Sequence, residues 1–565
     1  MSEHRTCQNC KSQFTIEPAD FDFYRKIDVP PPTWCPECRY MRRLSFFNER
    51  VLYKRKCDLC SKNIIAMYPA DSDLTVYCNS CWWSDAWDPL SFGRKYDPTR
   101  TFFAQFRELV RAVPRVCLEV NYPTLINSDY INHSATSKNC YLIFTADYCE
   151  NVLYSSILAN DKDSMDCIML GESELCYGNI NIGKCYTTHF SEDSNSCRDC
   201  YFVKDCTGCD NCFGCMGLRN KRYHIFNQRY EKKEYEKKIK EFHLNTHHGL
   251  QEARKATLSF WLTRPHKFIH DRMNKNITGD YVYNSKNARD MFMVRGAEDC
   301  RFCQILTLPS TKDTYDLSIW GNGVQRVYEA LIVGEGADQV KFSMRCWPEC
   351  RGVEYCDLVM SSSDMFGCVG VRKKQYCILN QQYVKEDYEM LCGQIRKDMD
   401  ANPYVDAGGR AYRYGEFFPQ DISLHTYNES YAIDFFPLTR EEAEQRGLSW
   451  KELPGPSASP TLRGNTIPGD ILDTPDTILD DVLECGTCLR PFRLVPAELS
   501  LLRRFGFPVP DHCFYCRYKQ RLERINPPRL HARQCAKCGQ DIQTPYSPER
   551  PEIIYCERCY NSEVA

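Results

Sequence analysis

The chain has 565 residues, with 72 Lys and Arg against 75 Asp and Glu, a formal charge of −3 and an isoelectric point near 6.5. That length calls for several domains, and so balanced a charge excludes a protein that coats polyanions over its whole surface. Thirty-six cysteines, largely in CxxC pairs and behind an N-terminus (Met1-Ser-Glu-His-Arg-Thr) that does not read as a signal peptide, point to metal binding in a reducing cytoplasm rather than a secreted disulfide scaffold.

Residues 1–96 read as a first double zinc module. Its Cys7, Cys10, Cys35, Cys38, Cys57, Cys60, Cys78 and Cys81 recur 478 residues later as Cys485, Cys488, Cys513, Cys516, Cys535, Cys538, Cys556 and Cys559, in a second module over residues 482–565. Sixteen thiolates supply four tetrahedral sites. Zn²⁺ is the expected ion, because it accepts four soft ligands without a geometric preference of its own. Sequential pairing, with Cys7, Cys10, Cys35 and Cys38 on one ion, is the simplest; interleaved pairing uses the same residues. Four cysteines leave no open position for water, so the sites read as structural and not catalytic.

Within module one, Arg39–Lys56 carries seven Lys or Arg against one Glu, and the matching Arg517–Arg533 carries six against one. Tyr40, Phe46, Phe47 and Tyr53 interleave with the first set. Basic residues beside aromatics suit a nucleic acid, so Arg39, Arg42, Arg43, Lys54, Arg55, Arg517, Lys519 and Arg521 are candidate contacts to RNA, DNA or a nucleoprotein. The competing reading is charge compensation, since Zn²⁺ with four thiolates carries a formal −2.

Residues 97–120 form a connecting helix opened by Asp97-Pro98. Residues 121–245 and 276–400 read as two β-solenoid blocks, each closed by a capping helix, with a helical linker over 246–275 between them. Cysteines nine or eighteen residues apart (Cys140, Cys149, Cys167, Cys176, Cys185) predict a repeat near eighteen. The phrase at Phe213–Tyr235 returns at Phe366–Tyr388, offset by 153, and SKN at Ser137 returns at Ser285. Cys197, Cys200, Cys206, Cys209, Cys212 and Cys215 are weaker candidates for a further metal site; otherwise they fill a narrow interior as small apolar residues. Asp161, Asp163 and Asp166 either line a carbohydrate-active face or turn the chain through Asx hydrogen bonds. An aromatic segment containing YGEFFP and a helix with a Thr439–Glu442 capping box fill 401–450. A flexible linker, 451–481, leads to the second module.

The residues around the first site, CQNCKSQF–DFDFYRK–PPPTWCPECR and again CGTCLRPF–ELSLLRR–VPDHCFYCR, resemble a family of probable zinc-ribbon, treble-clef-like domains. The whole layout also resembles a multidomain family of reduced-genome bacteria. That resemblance implies an architecture and no reaction. The expected fold is multidomain and mainly β: a tandem cysteine-rich β-solenoid flanked by two double-zinc modules. With no run of about 18 apolar residues, no membrane span is expected. The expected function is a non-enzymatic zinc protein that contacts nucleic acid through its modules. The alternative is a protein-interaction scaffold working through the solenoid surface, with a redox or carbohydrate-active solenoid enzyme third.

Overall fold

From His133 to Phe226 every third residue has a positive φ, between +46° and +72°. Each such residue turns the chain, and a non-glycine one costs about 1–2 kcal/mol, offset here by hydrogen bonding and burial along the stack. The computed structural model, which describes residues 2–452 and 458–564, stacks the triplets four to a coil. Lys138, Glu150, Lys162, Glu174 and Tyr186 bridge in parallel succession, twelve residues apart. Strands Phe144–Asp147, Ser156–Ala159, Ile168–Gly171 and Ile180–Gly183 pair in the same register. The expected repeat near eighteen is therefore corrected to twelve. One residue of each triplet faces inward, and cysteines occupy that phase on any side of the coil, so their spacing reports multiples of three rather than the coil.

The inward phase carries Cys140 and Cys149 with Ile131, Ile143, Val152 and Leu170 in one buried cluster. Outside, the SKN phrase explains itself: Lys138 pairs with Glu150 at 2.9 Å and Asn139 donates to Asn151 at 3.1 Å, each one coil on. In the second block Lys286 pairs with Glu298 at 3.0 Å and Asn287 donates to Asp299 at 2.9 Å. There the coils lengthen. Ala297 pairs with Thr311, fourteen residues on; Thr311 with Val324, Gln325 with Asp338 and Asp338 with Arg351 are each thirteen apart. Two extra residues followed by one, one and one make five, the difference between the offsets of 148 (Ser137 to Ser285) and 153 (Phe213 to Phe366).

Each block ends in an antiparallel hairpin, Arg222–Ile225 with Gln228–Arg229 and Gln375–Ile378 with Gln381–Gln382. The capping helices Lys232–Lys240 and Lys385–Ala401 follow. In the shared FGC phrase, Phe213 stacks on Phe242 at 4.1 Å, Cys215 points inward, and a Cβ on the left-handed Gly214 would lie 2.4 Å from the Phe226 ring.

The chain divides into two compact units. One contains residues up to Leu118 together with Ile269–Lys451; the other contains Glu119–Phe268 together with the residues from Glu452. Module one thus belongs with the second solenoid block, and module two with the first. A short parallel pair repeats in both units: Val76–Tyr77 with Arg115–Val116, and Pro265–Lys267 with Ile553–Tyr555. The connecting helix does not open at Asp97-Pro98, where the Asp97 carboxylate instead caps a local turn to Thr99. It runs Phe102–Ala112 and packs Phe102 against Tyr355 and Phe366, and Phe106 against Phe418. Residues 458–481, expected as a flexible linker, bury Ile467, Ile471 and Ile478, and Gly469 accepts a hydrogen bond from the His247 amide at 2.8 Å. Apolar side chains inside an outwardly polar stretch anchor it; 453–457 lie outside the described residues.

Candidate metal centres

Four cysteine tetrads form, and they are sequential: Cys7, Cys10, Cys35 and Cys38; Cys57, Cys60, Cys78 and Cys81; Cys485, Cys488, Cys513 and Cys516; Cys535, Cys538, Cys556 and Cys559. In each, the four sulfurs lie within 4.8 Å of one another. Local structure explains why. The first CxxC of every tetrad sits at a hairpin turn whose next residue (Lys11, Ser61, Leu489, Gly539) is left-handed. The third cysteine is the N-cap of a helix, at Cys35, Cys78, Cys513 and Cys556, where the positive end of the helix dipole favours a thiolate. Backbone N–H groups of Cys35 and Cys78 donate to the Cys7 and Cys57 sulfurs at 3.2 Å. Burial opposes ionisation of Cys485, but N–H donors from Cys488 and Cys513 bring its thiol down to about 6.

The donor set fits a tetrahedral ion. Metal–sulfur bonds of about 2.3 Å set tetrahedron edges near ~3.8 Å. The Cys10–Cys35, Cys488–Cys513 and Cys538–Cys556 sulfurs are 3.8 Å apart, and Cys60–Cys78 3.9 Å. These groups could hold four metal ions. No group among Cys197, Cys200, Cys206, Cys209, Cys212 and Cys215 meets the same closeness among the described residues. All six are buried, and their thiols donate to backbone carbonyls, as Cys197 does to Asn195 and Cys206 oxygens at 3.5 and 3.6 Å.

The basic residues beside the first and third tetrads are turned inward. Arg39 and Arg43 are 1% and 0% exposed and reach the carboxylate of Asp316 in the solenoid at 2.9 and 3.1 Å. Arg42 bridges Glu329 at 2.6 Å and Glu416 of the YGEFFP segment at 3.1 Å. In the other unit Arg517 and Arg521, buried, reach Asp166 at 3.1 and 2.9 Å. Arg55 is buried on Asp58 and the carbonyls of Pro69 and Leu74. Phosphate contact through Arg39, Arg42, Arg43, Arg55, Arg517 and Arg521 is therefore corrected: carboxylates and carbonyls already hold them. Lys54 and Lys519 are exposed. The interleaved aromatics follow the same rule. Tyr40, Phe46 and Phe47 are buried, and Tyr53 donates to Glu429.

The two clamps are one device made twice. Arg39 and Arg43 correspond to Arg517 and Arg521 at the module offset of 478. Asp316 corresponds to Asp166: each follows an equivalent inward position, Thr311 or Asp161, by five residues, and each has positive φ. The guanidinium of Arg39 lies 5.2 Å over Phe302 and that of Arg517 4.9 Å over Tyr154, rings at matching coil positions. Asp20 and Glu498, also 478 apart, each accept a solenoid tyrosine hydroxyl, from Tyr315 at 3.0 Å and Tyr154 at 2.8 Å. The sequence reading missed Asp316, Glu329, Glu416 and Glu498.

Asp161, Asp163 and Asp166 do not form an open acidic face. Asp161 accepts from the Ser173 amide at 2.9 Å, Asp163 pairs with Arg504 at 2.9 Å, and Asp166 sits in the clamp. No helix among the described residues is long and apolar enough to cross a membrane. No protein-family model and no curated protein matches the chain.

Proposed function

We propose that the chain is a non-enzymatic, zinc-dependent scaffold whose outer solenoid surface, not its zinc modules, meets its partners. Zinc fits the four thiolate tetrads and would hold each module's hairpins and helix ends without a large core. The modules then brace the solenoids through buried arginines. One observation carries this reading: the basic residues that looked free to bind a partner are buried on Asp316, Glu329, Glu416, Asp166 and Glu498. With the acidic candidates engaged as well, the carbohydrate-active reading loses its residues.

The test is metal analysis followed by hydrogen–deuterium exchange on the full chain, before and after chelation. Four zinc ions per chain are expected. Their removal should raise exchange at the modules and at the coils around Asp166 and Asp316 together, because structural zinc binding is folding free energy of about 10–16 kcal/mol per site. A chelated chain that keeps its exchange protection in those coils overturns the bracing role.

A further inference from the structure

The two solenoid caps occupy equivalent places in the repeated sequence, yet one is strongly basic and the other nearly neutral. Residues 219–240 carry nine Lys or Arg against three Glu; the equivalent 372–393 carry four against three acids. Where the first cap has Arg222, Arg229, Lys233, Lys237, Lys238 and Lys240, the second has Gln375, Gln382, Glu386, Met390, Leu391 and Gly393 at the equivalent sequence positions. The difference lies on the solvent side. Along the helix Lys232–Lys240 only Tyr235 is buried, while Lys233, Lys237 and Lys240 are exposed. Spaced i, i+4 and i+7, those three share one helix face.

Local helix energetics favour Lys237 and Lys240, which stand in the last turn, and disfavour only the first lysine of the stripe. Lys233 stands in the first turn, where the helix dipole favours acids and where the second helix has Glu386 and Asp387. Lys233 and Lys237 form a repulsive i, i+4 pair. None of Lys233, Lys237, Lys238 or Lys240 has an ion-pair partner among the described residues, whereas Arg219 pairs with Asp205 and Lys232 with Glu236. A row of exposed lysines that carries no ion pair is complementary to an anion from outside.

We propose that the cap of the first solenoid block is a docking surface for the phosphate backbone of nucleic acid. The chemistry separates this from a lipid surface. None of the large exposed apolar side chains falls within 219–240, so the cap has nothing to insert into a bilayer. Tyr223 and Tyr230 lie half-buried in the same hairpin region, but Tyr223 packs on Tyr235 and Tyr230 lies under the Lys238 ammonium at 5.2 Å, so the cap offers charge rather than free aromatic faces. The inference rests on the scaffold reading only in placing the working surface on the solenoid.

The test is fluorescence anisotropy of the zinc-loaded full chain with a labelled single-stranded RNA of about 20 nucleotides and with its duplex. Three proteins are compared: the parent, the triple variant Lys233→Glu/Lys237→Glu/Lys240→Glu, and the module variant Lys54→Glu/Lys519→Glu. The triple variant should weaken binding tenfold or more and flatten the log–log salt dependence by about two units, from roughly −0.7 per phosphate contact. The module variant should change affinity less than twofold. Equal loss in both variants, binding unchanged in the triple variant, or capture by anionic vesicles but not by RNA each overturns the proposal. Zinc content and exchange protection measured on the same triple variant separate this failure from failure of the scaffold reading. A fully metallated, protected variant that no longer binds speaks to the cap alone.

Discussion

Set side by side, the two units show which part of the clamp is essential and which is added. Both place two arginines from a zinc-module helix on one solenoid aspartate, stack the first arginine on an aromatic one coil earlier, and tie a helix acid to a solenoid tyrosine. The first unit adds Arg42 between Glu329 and Glu416 where the second has Gln520. Its ions are also drier: Arg39 and Arg43 are 1% and 0% exposed at the side chain, against 8% and 10% for Arg517 and Arg521. A buried ion pair is weak evidence of net stability, since desolvation offsets much of the attraction, but removing one partner strands the other at high cost. The shared element is thus a fastener that makes the wrong pairing expensive.

Removing the aspartates should break the comparison most sharply. Asp316→Ala leaves two buried guanidinium groups without their shared carboxylate and should destabilise its unit by about 3–5 kcal/mol. Asp166→Ala should cost less, because Arg517 keeps Glu498 at 2.8 Å and both arginines have some access to water. Urea unfolding followed by hydrogen exchange, resolved by unit, measures both. Equal losses would show that the extra burial in the first unit carries no energetic weight.

A smaller effect should follow from converting one unit toward the other. Arg42→Gln installs the residue found at position 520 and should cost about 3 kcal/mol at pH 8, since Glu329 is left with only Arg43 at 4.0 Å and Glu416 with only the amide and hydroxyl of Thr33. The loss should shrink at pH 5, where Glu329 can take up a proton, and Arg42→Gln combined with Glu329→Gln should recover much of it. The double-mutant cycle reads the coupling directly. An additive cycle would mean the bridge contributes nothing beyond its separate side chains.

The tetrads were legible because metal geometry demands a spacing, and eight cysteines in one register at an offset of 478 repeat it. The clamps were not, because a run of Lys and Arg reads the same whether a phosphate or a buried carboxylate answers it. One signal was present. At the module offset Arg39 and Arg43 recur as Arg517 and Arg521, while Lys54 becomes Ala532 and Phe46 becomes Arg524. Arg55 also recurs, as Arg533, but retention of the pair fits a solenoid partner duplicated with it. That partner, Asp166 and Asp316, is hidden by the two-residue insertion that breaks the solenoid alignment just before it. The twelve-residue coil stayed hidden for another reason. Its inward positions accept Cys, Val, Ile, Ser and Ala alike, so no single residue type marks every coil, and only the left-handed backbone at each third residue reveals the triplet.

The finest contrast is in pH. Burial raises Glu329 to about 7 while Arg42 and Arg43 pull the other way. Burial also raises Glu192, but Arg524 and Lys204 lower it more and hold it at about 2. A carboxyl whose folded pKa is raised binds its proton more tightly in the folded state. The Glu329 contribution therefore favours folding in acid and weakens as pH climbs from about 4.5 to about 7, a change of about 2 kcal/mol between pH 5 and 8. Glu192 has the opposite sign: its stabilisation is present above about 4.5 and is lost as pH falls toward about 2. Glu329→Gln should flatten the first unit's stability between pH 5 and 8, whereas Glu192→Gln should leave the second unit's slope there unchanged and act only in acid. Exchange-resolved stability across that range decides it, and parallel slopes in the two units would show that Arg42 and Arg43 outweigh burial at Glu329.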